Sequence, residues 1–182
     1  MEAKQFQKLL HSLHACSEVR AWAEGKSLRE VWQTCERADW LLWLCGKMAG
    51  KSGWPSRKEV VLAACACAEL ALKYVLKGED RPRRCIEIVR SWANGKVTLD
   101  EVREARHAAY AAYAAAIVRC GSAAYAAAYA AAAHAADAAA YAAAYAADAS
   151  YAAADAAYAR RKTLKKMADI VRAALVIPTG EK

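Results

Sequence analysis

The chain has only three prolines in 182 residues, Pro55, Pro82 and Pro178, and one phenylalanine. Proline breaks a helix from within, so its scarcity leaves long stretches free to run helical. No segment alternates apolar and polar residues over the length of a strand, which excludes a sheet and predicts an all-α fold. There is no glycine-rich phosphate loop, no zinc-spaced ligand set, and no carboxylate pair set up for acid–base work. The chain is therefore expected to be no enzyme and to carry no cofactor or metal. Apolar runs are short: Trp40-Leu41-Leu42-Trp43-Leu44-Cys45 falls far below the ~20 residues a bilayer requires. The opening Met1-Glu2-Ala3-Lys4-Gln5 lacks the apolar core of a secretory signal. A cytoplasmic protein without a membrane span is the expectation.

Cysteine is not scarce, but it has no framework. The seven residues Cys16, Cys35, Cys45, Cys65, Cys67, Cys85 and Cys120 are odd in number and sit mostly inside apolar helical stretches. They read as reduced, small buried hydrophobes. His11, His14 and Cys16 lie on adjacent turns but lack the paired partner cluster that zinc needs. Cys120 beside Arg119 has a positive neighbour in sequence, yet no base to activate it as a nucleophile.

Between Arg119 and Arg160 there is no lysine or arginine at all. What fills that stretch is alanine, interrupted almost only by tyrosine and a few acids, from Ala108 to Ala159. At 100° per residue, His134, Asp137, Tyr141, Tyr145, Asp148, Tyr151, Asp155 and Tyr158 share an arc of roughly 140° on one helix, and Tyr129 extends the row. The opposite side is methyl groups, which let another backbone approach closely. With no cation in the same helix, the aspartates must meet arginines from elsewhere, tyrosine hydroxyls, a ligand or water. Two readings stay open: a core filled by tyrosine, or a rigid amphipathic surface for a partner or ligand. Mating of alanine faces between subunits makes a homo-oligomer the expectation.

The net charge of +8 is spread unevenly, with about +5 in residues 1–106, about +5 from Arg160 onward, and a slightly acidic block between. A basic balance permits an acidic protein, an anionic small molecule or nucleic acid as partner. Arg81, Arg83 and Arg84 stand at a predicted helix start, where N–H groups and guanidiniums converge on an anion or are taken up by acidic neighbours. In the tail, Arg160, Arg161, Lys162, Lys165, Lys166 and Arg172 fall opposite an apolar arc of Leu164, Met167, Ile170, Val171 and Leu175. That pattern serves a phosphate backbone or a solvated outer face.

Taken in order, the spacing predicts helices over Lys4–Cys16, over 18–24 with Ser17 as cap and Gly25 as stop, and from Ser27, where Glu30 completes a capping box. A buried hub follows over 37–45, then a loop at Gly50, Gly53 and Pro55 with Trp54 closing on the core. A long helix is expected over Ser56–Leu76, another after Asp80 as cap with Pro82 in its first turn, and a third from Thr98, capped with Glu101. Gly121-Ser122 reads as the turn between two long alanine-rich helices, the second from about residue 123 to 160. A final amphipathic helix covers Thr163–Val176. The architecture expected is a single domain, 1–182, a bundle of seven or eight helices: a Trp-rich half (1–106), the Ala/Tyr-rich helices (107–160) and a basic end (161–182).

Several stretches together resemble the immunity-protein-5-like family of phages and bacteria. They are Ser27-Leu28-Arg29-Glu30-Val31-Trp32, Arg37-Ala38-Asp39-Trp40-Leu41-Leu42-Trp43-Leu44, Ala66-Cys67-Ala68-Glu69-Leu70-Ala71-Leu72 and Glu79-Asp80-Arg81-Pro82-Arg83-Arg84, with Ile88 and Trp92-Ala93-Asn94-Gly95 after it. The ending Lys166-Met167-Ala168-Asp169-Ile170-Val171-Arg172 is also similar. The resemblance implies an all-helical, non-enzymatic protein that neutralises a toxin or a defence effector by stoichiometric sequestration. The alternatives are a helical sponge for an anionic small molecule such as a nucleotide signal, and non-specific nucleic-acid binding. The residues expected to bind are Tyr129, His134, Asp137, Tyr141, Tyr145, Asp148 and Tyr151, with Arg81, Arg83 and Arg84.

Overall fold

The computed structural model describes residues 1–70, 72–75, 77–120 and 156–179. Among these it holds eight α-helices and no strand: α1 (Ala3–Ser12), α2 (Ser17–Trp22), α3 (Leu28–Thr34), α4 (Ala38–Met48), α5 (Arg57–Glu69), α6 (Arg81–Ala93), α7 (Leu99–Cys120) and α8 (Ala156–Ala174), with a 3-10 turn at Leu72–Tyr74. The fold is all-α, as the scarcity of proline predicts. The predicted turn at Gly121-Ser122 and most of the second alanine-rich helix lie outside the described residues.

Helix α8 packs against both α4 and α5. Its apolar arc, Leu164, Met167, Ala168 and Val171, is buried against α4 and α5, and Leu175 and Ile177 continue the buried line beyond the helix end. Most of the residues that α5 buries are small, Ala63, Ala64, Cys65, Cys67 and Ala68 beside Val60 and Val61. Small side chains let the two backbones come close, and the Cys67 thiol lies 3.7 Å from the Met167 carbonyl oxygen. Leu41, Leu42, Leu44 and Cys45 of α4 are buried in the same core, whereas Trp40 and Trp43 sit half-exposed at its edge. The predicted hub is thus leucine at its centre and tryptophan at its rim.

Helix ends follow local chemistry. Ser27 with Glu30, Ser56 with Glu59, and Thr98 with Glu101 each exchange hydrogen bonds between side chain and backbone, so three helix starts are closed by the same device. Glycines 25 and 95, just beyond α2 and α6, take φ of 72°, the left-handed region that stops a helix. Helix α1 ends earlier than its apolar pattern suggests. His14, at φ 56°, takes the position usually held by glycine, and the Ala15 N–H bonds back to the Leu10 carbonyl at 2.9 Å. The start of α2 also differs: Cys16, not Ser17, stands at the cap position, and no side chain caps it.

The helix expected over Ser56–Leu76 stops at Glu69. No local breaker stands before Gly78, so the cause is packing. A 3-10 turn aligns Leu72 with Val75 on one side, and both pack against the core, the Val75 N–H bonding the Leu72 carbonyl at 3.1 Å. At the other end, α8 runs through Ala174 and starts well before Thr163.

Arg172 fastens α8 to the N-terminal helices. Its Nε donates to the Trp32 carbonyl at 2.6 Å and its Nη2 to the Cys35 carbonyl. The last carbonyls of α3 have no partner within their own helix, so one guanidinium satisfies two of the groups around that helix end. Its remaining nitrogen reaches Asp169 at 2.9 Å. The Arg172→Ala substitution is expected to lower unfolding free energy by about 2–3 kcal/mol in urea titration, since it strands partly buried carbonyls that accept from a charged group. A change below about 0.5 kcal/mol would show that the latch contributes little.

Candidate functional site

Three groups of side chains can be placed against the expectations: the arginines opening α6, the tryptophans at the rim of the N-terminal half, and the cations of α8. The tyrosine and aspartate row, with Tyr129, His134, Asp137, Tyr141, Tyr145, Asp148 and Tyr151, lies outside the described residues, and so does most of the alanine-rich stretch from which a homo-oligomer is expected.

At the start of α6 the arginines do not act together. Arg81 folds back onto Glu79, with Nε donating to a carboxylate oxygen at 2.7 Å and Nη2 to the other oxygen. Glu79 also accepts the Arg81 backbone N–H at 3.1 Å. That bond is the cap expected of Asp80, whose backbone is helical (φ −100°, ψ −12°) and whose side chain makes no cap bond. The Arg81 side chain, burial acting in the opposite direction, holds Glu79 below the usual carboxylate range. Arg83 and Arg84 are exposed. One of the three guanidiniums is therefore already matched by a carboxylate two residues away.

The half-exposed tryptophans form an ordered cluster. Trp22 and Trp40 meet with ring centroids 5.6 Å apart at 60°, the Lys26 ammonium lies 4.2 Å from the Trp22 ring, and the Arg37 guanidinium 4.5 Å from the Trp40 ring. Asp39, itself buried, takes Arg37 in a two-pronged pair at 2.9 and 2.6 Å, and Glu18 adds a third contact at 3.4 Å. Behind the rings, Phe6, Leu10, Val31, Leu41 and Leu44 help line an apolar pocket of about 20 Å³. That is room for about one water-sized group, too small and too apolar for a nucleotide.

The cations of α8 form the third group. Arg161 reaches one oxygen of Glu36 at 2.9 Å and Lys165 the other at 3.0 Å. Two cations share a single carboxylate, and hydrogen bonds from Lys165 and then Arg161 hold Glu36 below its ordinary range. Lys162 and Lys166, one turn apart on the outer side, are exposed and have no ion-pairing carboxylate among the described residues. The sequence pattern identified this face; it did not identify Glu36, which comes from the turn between α3 and α4.

The five buried thiols are not poised to react. Burial pushes Cys35 up to about 11 and Cys45, Cys65, Cys67 and Cys85 up to about 12. Cys16 is exposed, and no His, Cys, Asp or Glu cluster among the described residues is arranged to hold a metal ion. No described helix is long and apolar enough to cross a membrane. With a maleimide at pH 7.5, native protein is expected to label quickly at Cys16 and at least tenfold more slowly at the five buried cysteines, read by peptide mass. Equal rates across the six would contradict the burial described. The Glu79→Gln variant should be slightly less stable than wild type at pH 7 and lose that difference as pH falls. A lowered folded-state pKa adds stability above the unfolded value near 4.3, and that stability disappears as the carboxylate takes up its proton. A urea midpoint difference unchanged between pH 7 and pH 3 would contradict the pairing.

No curated protein and no solved structure matches this chain. One family profile does match it, over residues 54–172, a stretch that runs from the loop before α5 to the Arg172 latch and takes in well over half of the chain. The chain belongs to that family, described as Imm-5 like putative immunity protein.

Proposed function

We propose that this is a binding protein of immunity type, which neutralises a protein toxin or defence effector by stoichiometric sequestration and catalyses nothing. Family membership is the observation that carries this reading. Two features of the fold support it. Among the described residues the core is apolar and its five thiols are held protonated by burial. The described surface carries rigid aromatic and cationic groups: two tryptophans bracketed by Lys26 and Arg37, and the basic face of α8. Tryptophan and arginine contribute disproportionately to protein–protein affinity.

Protein purified from its own host at native expression is expected to carry a protein partner in a fixed ratio, read by native mass spectrometry. Titrating that partner's activity with pure protein should bring it to zero near molar equivalence, as tight sequestration requires. Complete loss at a small fraction of equivalence would mean turnover, and would overturn the reading.

A further inference from the structure

We propose that the outer face of α8, centred on Lys162 and Lys166, is the docking strip for an acidic surface of the protein partner. This rests on the sequestration reading, and adds to it the place and chemistry of contact.

The first support is charge. Arg161, Lys162, Lys165 and Lys166 lie within two turns of one helix, and the nearby carboxylate, Glu36, serves two of them. The strip therefore keeps an excess of about three positive charges, held outward in a chain of net charge +8. The second support is rigidity. The opposite arc of the helix, Leu164, Met167, Ala168 and Val171, is buried to 3% exposure or less, so the helix cannot roll. Arg172 pins its far end to the Trp32 and Cys35 carbonyls, and Arg161 and Lys165 fix its edge to the α3–α4 turn. A strip held in place before contact loses little freedom on binding.

The size of the patch favours an acidic protein over nucleic acid, because it offers four described cations, Arg161, Lys162, Lys165 and Lys166, within two turns. Lys162 and Lys166 are about 6 Å apart along the axis, the spacing of one helical turn. That length suits a cluster of carboxylates on a partner helix or loop. Tight duplex binding draws on many more phosphate contacts, on the order of 6–10.

The test uses full-length protein with two probes, poly-L-glutamate and a duplex DNA of matched charge, at about 50 mM salt, where surface charges are only partly screened. Wild type is expected to bind polyglutamate more tightly than the duplex. Lys162→Glu with Lys166→Glu should weaken polyglutamate binding at least tenfold. The control is Lys4→Glu with Lys8→Glu, an exposed lysine pair of the same spacing on α1, which should change it less than threefold. Circular dichroism checks that each variant is folded, and a misfolded pair is replaced by Lys→Gln at the same positions. Equal losses from the two pairs would reduce the effect to net charge and overturn the proposal. So would tighter binding of the duplex, or no polyglutamate binding at all. Polyglutamate is neither toxin nor effector, so this test fails or passes independently of the equivalence titration.

Discussion

The structure depends on the burial of one arc of α8. Leu164, Met167, Ala168 and Val171 come to 3% exposure or less between α4 and α5, where alanines and cysteines leave room for a second backbone. Burying such an arc removes apolar surface from water at roughly 25 cal/mol per Å², and it also fixes the rotation of the helix about its axis. Everything polar on α8 is then assigned its direction. Arg172 is turned to the orphaned carbonyls of α3, Arg161 and Lys165 to Glu36, and Lys162 and Lys166 to solvent. The basic face exists as a defined surface because its apolar back cannot move.

Much of this was legible in the sequence where the signal is local. The Ser27–Glu30 and Thr98–Glu101 boxes announce their helices, and Ser56-Arg57-Lys58-Glu59 carries the same signature. Glycine marked two of the stops, Gly25 and Gly95. What escaped was set by tertiary contact or by an unusual residue in a standard role. His14 ends α1 where glycine would have been recognised, Leu72 and Val75 tighten the chain after α5 to reach the core, and Glu79 rather than Asp80 answers the first turn of α6. Each of these decisions depends on where distant groups lie.

The same division holds for the candidate site. The period of 3.6 residues separates the cations of α8 from its apolar arc, so the basic face could be read directly. Its partner Glu36 could not, since it stands 125 residues from Arg161 in the chain. Among the arginines of α6 the charge was legible but its use was not: Arg81 is taken up by Glu79. The tyrosine and aspartate row falls outside the described residues, which leave α8 and the tryptophan rim as the described surfaces.

The central claim is that the apolar arc of α8 is part of the core formed with α4 and α5. Hydrogen exchange of the intact protein, resolved by residue, measures this directly, because amides in the last elements to open exchange only through global unfolding. The account predicts that the slowest amides are those of Leu164–Val171 in α8, together with Leu41–Cys45 in α4 and Val61–Cys67 in α5, all sharing one protection free energy. If α8 exchanged as fast as the 50–55 loop while α4 and α5 stayed protected, the helix would be an appendage, and the claim would fail.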